Sequence, residues 1–445
     1  MAPTFPQTAL KLQFGSIRHP QETIVTHAQG ETADEHFCSE CRAVIKAKVE
    51  LCPKCGARQL APEDKLSVRL RHGIMSTNNQ ALVAGEAGET PSANQSSTAS
   101  ESAVKESASE GLARFRASWP DILDRAETKV ARGQLELIGW GLTRPRVQRF
   151  NEVEAQGNWY FIGDLHSDYL AWHTLLSRVT SDPDFRLCFL GDLIDRGPHH
   201  IECFAAILEA AERYPGRILW ILGNHDEAVG FSARKGAGEP RYASMVHPSE
   251  FVDWLNNPSP GLDQARTDHV VRILAEICRR LPRAVLFPDG LLATHGGVPL
   301  QDRWTSLVSL EAFHHPRVLA DFTWTRAAEV PMRLGWKYSP EKRLSSSDFD
   351  FGFRDLEGFA KAVAGVFPVK RIVRGHDHVK GGHELPEGYE AVPVLTLNAF
   401  GFDYITNSTK NYRPSVTLGI ANTGQLPTTE EVPVPNDQYR AIYGE

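Results

Sequence analysis

The stretch YFIGDLHSDYL, Tyr160 to Leu170, runs from apolar residues into Gly-Asp-Leu-His and then breaks into Ser-Asp. Tyr160, Phe161 and Ile162 read as the end of a buried strand. Gly163 permits a turn that a residue with a Cβ resists. Asp164 and His166 stand two residues apart just beyond it, and in extended backbone residues i and i+2 point to one side. A carboxylate and an imidazole then aim at one point, at the kind of strand end where open α/β sheets bind ligands. A turn aspartate beside a surface histidine fits this segment equally well, so the surrounding chain decides.

Around it, strands alternate with helices. NWYFIG, FRLCFLG and RILWILG are strand-like and each ends on glycine. LAWHTLLSRV and IECFAAILEAAERY lie between them with helical spacing, and the β-α-β-α-β run marks a layered α/β domain. Upstream, SWPDILDRAETKVARG predicts a helix with Ser118 as N-cap and Pro120 in its first turn.

Further strand ends carry the same chemistry. LGDLIDRG supplies Asp192, Asp195 and Arg196, and LGNHDEA supplies Asn224, His225 and Asp226. LLATHGGVP ends at His295, and RIVRGHDHVK at His376 and His378. This is more than one structural zinc needs, and thiolate is absent. Mixed oxygen and imidazole donors suit Mn, Fe or Zn better than Ca or Mg. Two metals sharing one carboxylate fit the count. The histidines of PHH (His199, His200) and FHH (His314, His315) lie off these motifs and read as solvated or loop residues.

The ordered set GDxH, GDxxDRG, GNH, HGG and RGH resembles the calcineurin-like metallophosphoesterases, and within them the PPP-type serine/threonine protein phosphatases. The likeness covers roughly Asn158 to Gly424. ICRRLPRAVLFPDGLLATHGGV is similar to that family's helix, Leu-Pro and hairpin before HGG, and TLNAFGFDY to its loop beside the metals. The sequence departs at Ser167 and Asp168, where a glycine is usual, at Asp226, where glutamate is common, and at His378, which gives a GHxH ending.

The resemblance implies a four-layer α/β fold, a central β-sandwich flanked by helices. It implies Asp164 and His166 on one metal with His378 as an added ligand, Asn224, His295 and His376 on the other, and Asp192 between them. It further implies direct attack of a metal-bridging hydroxide on phosphorus, with His225 as general acid, Asp195 orienting it and Arg196 gripping the phosphate. FTWTRA nominates Arg326 as a second phosphate arginine, ahead of Arg343 in EKRLSSSDFDFG. The expected substrate is a phosphorylated protein, through phosphoserine or phosphothreonine, or a phosphorylated small molecule. Hydrolysis of a dinucleoside polyphosphate or nucleotide is the alternative. An adaptor with a passive phosphatase-like domain is a third reading, which the intact ligand set and Asp195–His225 pair oppose.

The rest of the chain adds an appendage. Four of the seven cysteines, Cys38, Cys41, Cys52 and Cys55, form two C-x2-C knuckles ten residues apart. Such knuckles close a tetrahedral structural zinc site. Cys188, Cys203 and Cys278 read as core thiols. The expected organisation is an arm at 1–33, a zinc ribbon at 34–62, a disordered linker at 76–111, a helical lead-in at 113–157 and the catalytic domain at 158–430. The linker is Ser-, Ala- and Glu-rich and holds too few large apolar residues to offset its ordering entropy. The ribbon is expected to dock on a protein or nucleic acid. Across 445 residues, 41% are hydrophobic, 23% are charged and the net charge is −7. That balance argues against binding nucleic acid by bulk charge. No apolar run approaches the ~18 residues a membrane helix needs, so no membrane association is expected and the location is taken as cytoplasmic.

Overall fold

The computed structural model describes residues 35–37, 44–46 and 106–444, except 142, 233–240, 259–261, 328–335, 338–348, 404–408 and 411. The chain divides into two compact units, 1–98 and 99–445. In the first, Glu35–Phe37 pairs antiparallel with Val44–Lys46. Cys38, Cys41, Cys52 and Cys55 lie outside the described residues, as does the expected linker up to residue 105.

Twelve strands of the second unit form two mixed sheets. They are β1 (Leu137–Ile138), β2 (Val147–Arg149), β3 (Asn158–Ile162), β4 (Phe185–Phe189), β5 (Ile218–Trp220) and β6 (Ala284–Leu286). Then come β7 (Leu291–Thr294), β8 (Arg371–Arg374), β9 (His383–Glu384), β10 (Val394–Leu397), β11 (Ser415–Ile420) and β12 (Thr428–Pro433). One sheet has the order β12-β11-β3-β4-β5-β1 and the other β9-β10-β8-β7-β6-β2.

Side-chain alternation sorts these strands into layers. Trp159 and Phe161 of β3 enter the cluster between the sheets with Leu219, Val285, Val373 and Leu395. Tyr160 and Ile162 of the same strand face the other way, into a helical layer with Trp172 and Phe204. On the second sheet, Leu292, Ile372 and Val394 face outward against Phe322 and Phe359. The result is helices, sheet, sheet, helices, because every central strand is apolar on both faces.

The flanking helices include α1 (Ala108–Arg132), α2 (Tyr169–Val179), α3 (His200–Arg213), α4 (Asn224–Ala228), α5 (Glu250–Asn256), α6 (Gln264–Cys278), α7 (Pro316–Trp324), α8 (Phe353–Val363) and α9 (Asn436–Tyr443). Helix α1 is capped at Ser107, eleven residues before the expected cap Ser118. Ser107 Oγ accepts from the Glu110 amide at 3.3 Å, and Glu110 accepts from the Ser107 amide at 2.9 Å, a capping box. Ser118 is mid-helix and its hydroxyl donates to the Arg114 carbonyl. The buried stripe Leu112, Phe115, Trp119, Ile122, Ala126 and Val130 outweighs the one bond that Pro120 cannot make.

Gly163 is required for a different reason than turning. It is not among the residues with positive φ. A Cβ there would lie 2.1 Å from the Leu397 carbonyl oxygen, because Asp164 bridges to Asn398 across the two sheets. Gly163→Ala is therefore expected to force the sheets apart and lower stability by at least about 2 kcal/mol. An unchanged thermal melting curve would show that the close approach is dispensable.

Candidate active site

All the expected ligands leave the carboxyl ends of strands. Asp164 follows β3, Asp192 follows β4, Asn224 follows β5, His295 follows β7 and His376 follows β8. β3, β4 and β5 are mutually parallel, as are β7 and β8, so each sheet gathers its loops at one edge. The loops are sharply bent. Among the described residues, the non-glycine positions with positive φ are His166, Ser167, Asp192, Asp195, Arg196 and His376. Every one belongs to these motifs, and such left-handed backbone is strained for residues with a Cβ. Asp164 and His166 thus converge through a left-handed turn at His166 (φ 46°), not through extended backbone.

The side chains form three groups of close donor atoms: Asp164, His166 and His378; His166, Asp192 and His225; Asp192, His295 and His376. His378 Nε2 lies 2.9 Å from His166 Nε2 and 3.7 Å from an Asp164 oxygen. His295 Nε2 lies 3.0 Å from Asn224 Oδ1 and 3.3 Å from Asp192 Oδ1. Three imidazoles are oriented by backbone carbonyls. His166 Nδ1 donates to Ile194, His295 Nδ1 to Leu190, and His376 Nε2 to Trp324. Each therefore leaves its other ring nitrogen for the buried cluster of acids. His376 Nδ1 is buried and has no hydrogen-bond partner among the described residues.

This donor set fits divalent metal ions. Imidazole nitrogens and an amide oxygen crowd a buried space, around carboxylates whose described ion-pair contacts are with histidines. Burial, reinforced by Asp192, pushes the Asp164 carboxyl up to about 7. A buried anion without a cation takes up a proton in this way, and bound cations remove that need.

Beside the cluster, His225 Nδ1 donates to Asp195 at 2.6 Å, and its Nε2 stands 4.0 Å from Asp192. Burial opposes charge on His225, but Asp192 and the Asp195 bond outweigh it and raise its pKa. Asp195 is itself held by the Ser249 hydroxyl and the Phe251 amide at the start of α5. The Arg196 backbone amide donates to Glu250, and its Nε is buried without a partner among the described residues. Arg326 donates to the His376 carbonyl and to Asp377, and its Nε is likewise unpartnered. Arg343 lies outside the described residues.

Other residues hold this arrangement, and the motifs did not assign them roles. Asp226, fully buried, accepts from the amides of Asp192, Leu193 and Gly223, which fixes the left-handed turn at Asp192. Asp168 caps α2 through the Ala171 amide and also accepts from the Gly401 amide and the Tyr443 hydroxyl. It ties the Asp164–His166 loop to the Phe400 loop, whose ring sits 5.5 Å from His166. Only the departures at Ser167, Asp168 and Asp226 hinted at these clamps. His199 and His200 are not solvated: both are buried, and His200 Nδ1 meets Ser167 Oγ at 2.7 Å. His314 and His315 are partly or fully exposed, as expected.

Residues 159–380 match the family described as calcineurin-like phosphoesterase. The chain carries a calcineurin-like metallophosphoesterase domain. Among its relatives, a probable serine/threonine-protein phosphatase of Encephalitozoon cuniculi is 23% identical over 279 residues, 61% of this chain and 52% of that one. A serine/threonine-protein phosphatase of Caenorhabditis elegans is 25% identical over 280 residues, 60% and 53% of the two chains. The serine/threonine-protein phosphatase 4 catalytic subunit of Candida glabrata is 27% identical over 228 residues, 50% and 63%. The chain spans about half the length of the first two relatives. Among the described residues, no helix is long and apolar enough to cross a membrane.

Burial lowers the His200 pKa to about 4, so the folded protein refuses a proton that the unfolded chain binds below about 6.5. Stability from this group is full above pH 6.5 and is lost as pH falls towards 4. Denaturant titrations of wild type and His200→Gln at pH 7 and pH 5 isolate it. Wild type is expected to lose about 1–2 kcal/mol more than the variant over that interval. Equal losses would show that His200 does not carry this dependence.

Proposed function

We propose that the domain is a dinuclear metal-dependent phosphomonoesterase acting on phosphoserine and phosphothreonine in proteins. The observation that carries this reading is the His225–Asp195 pair standing against Asp192, with Arg196 alongside. In this reading Asp164, His166 and His378 hold one ion, Asn224, His295 and His376 the other, and Asp192 serves both. Mn, Fe or Zn suits these donors. Bound there, two such ions would clamp phosphoryl oxygens and acidify water.

The chain's own groups complete the chemistry. His225, its pKa raised, keeps a proton on Nε2 and gives it to the departing alkoxide oxygen. Asp195 fixes the opposite nitrogen and stabilises the charged ring. Arg196 and Arg326 direct N–H groups at the phosphate oxygens, which guanidinium matches in geometry. The serine/threonine phosphatase relatives support the substrate class. The deciding assay sets phosphopeptides, nucleotides and an aryl phosphate side by side with full-length protein and Mn²⁺. Turnover of phosphopeptides in preference to nucleotides is expected, and the reverse order would refute the substrate assignment.

Asp192→Asn is expected to lower metal content at both positions and to abolish turnover. A variant that retains two ions per domain and near-full activity would remove Asp192 from the shared role. His225→Asn should keep the ions while kcat falls by roughly 10²–10⁴ on alkyl phosphates. Aryl phosphates, whose leaving group needs little protonation, should lose much less. An equal loss on both would exclude proton donation by His225.

A further inference from the structure

Next to Arg196, a cavity of about 490 Å³ is lined by His199, Glu250, Thr409 and Tyr443 among others. A larger one, about 900 Å³, opens between α1, the start of α3, α5 and the start of α6. Pro198 and His200 line both, so the two adjoin at these residues, with the smaller one reaching Arg196. Each volume falls in the range of about 300–1,000 Å³ usual for ligand sites.

The two ends differ in chemistry. At the near end, His199 is only 5% exposed. Its Nε2, like Arg196 Nε, has no hydrogen-bond partner among the described residues. The side chains that line this end, Arg196, His199, Glu250, Thr409 and Tyr443, all carry polar groups. At the far end, Trp119 of α1 and Trp254 of α5 face the larger cavity with Pro120 and Leu262. Trp119 lies outside residues 159–380, so this wall is built from a part of the chain beyond the family match.

Charge along the path is balanced. Arg116 pairs with Glu202 at 3.1 Å, Glu250 stands 3.8 Å from Arg196, and Arg266 follows the helix-capping Asp263. A chain of further phosphates would find a carboxylate beside Arg116 and beside Arg196. A polypeptide brings amides for the near end and apolar side chains for the far end, without added charge.

We propose that the two cavities form one groove that holds the polypeptide flanking the phosphorylated residue. The polar near end meets its backbone, and Trp119 and Trp254 take an aromatic or aliphatic side chain further along. This rests on the phosphoprotein reading of the site. Burying one such side chain between the tryptophans raises kcat/KM about tenfold, mostly through KM.

The test compares a minimal phosphoserine peptide with peptides extended on either side that carry Trp or Leu at successive positions, using full-length protein and Mn²⁺. The quantity read is the ratio of extended to minimal kcat/KM within each protein. Wild type should show a ratio near ten at one or two positions on one side only. Trp254→Ala should bring it close to one. Pro198→Trp, at an exposed position where the cavities join, should do the same without opening the core, and so covers a Trp254 variant that misfolds. A wild-type ratio of one with the minimal peptide well cleaved, or a ratio that survives both changes, overturns the groove and leaves the phosphoprotein reading intact. Failure to cleave any phosphopeptide overturns both. If the two variants instead raise KM for a dinucleoside tetraphosphate, the groove belongs to a nucleotide.

Discussion

Two fully buried carboxylates, Asp164 and Asp192, set the terms for everything around them. Each is 0–1% exposed and ringed by imidazoles. Isolated buried anions are among the most costly features a fold can carry. The surrounding chain answers this with backbone as much as with side chains. Asp164 accepts the His376 amide, Asp192 accepts the His225 amide, and six non-glycine residues adopt left-handed conformations to bring their groups into range. Glycines at 163, 191 and 223 allow the loops to touch, since a Cβ on any of them would overlap backbone of a neighbouring loop. Packing around the sandwich supplies the stability against which this strain is held.

The strand ends and the clustered donor residues that follow them were legible in the sequence because both signals are local. An apolar run followed by Gly-Asp or Gly-Asn marks a buried strand emptying into a polar loop. The layering was legible too, since strands apolar on both faces must be covered on both. Distance effects were not. Gly163 looks like a turn glycine, but its constraint comes from Leu397 in the other sheet. Ser-Trp-Pro looks like a helix start, yet tertiary packing of Leu112 and Phe115 carries the helix back to Ser107. His199 and His200 look solvated beside a proline, but α9 and α5 cover them, with Tyr443 stacked on His199 and Phe251 against His200.

The clamps are the least legible part of the site and the most specific to it. Asp226 and Asp168 bind no candidate metal position, and each stands where the resemblance expects another residue. Their work is done through main-chain amides, which leave no trace in residue type. Asp377 is similar: it receives both Arg326 and Arg374 and so fixes an arginine of the site against the loop that carries His376. Such acids set where the reactive groups stand, and a reading by motif passes over them.

The hydrogen bond from Tyr443 to Asp168 joins residues 275 positions apart, and His166 meets His378 across 212. Contacts of that span are the slowest to form, since the intervening chain must be ordered before they yield any gain. During synthesis, the first-made ligands therefore wait for most of the chain to emerge. Through that interval Asp164 and His166 have no second half to meet. The order of the strands thus sets when the cluster assembles: it closes only when the sandwich does.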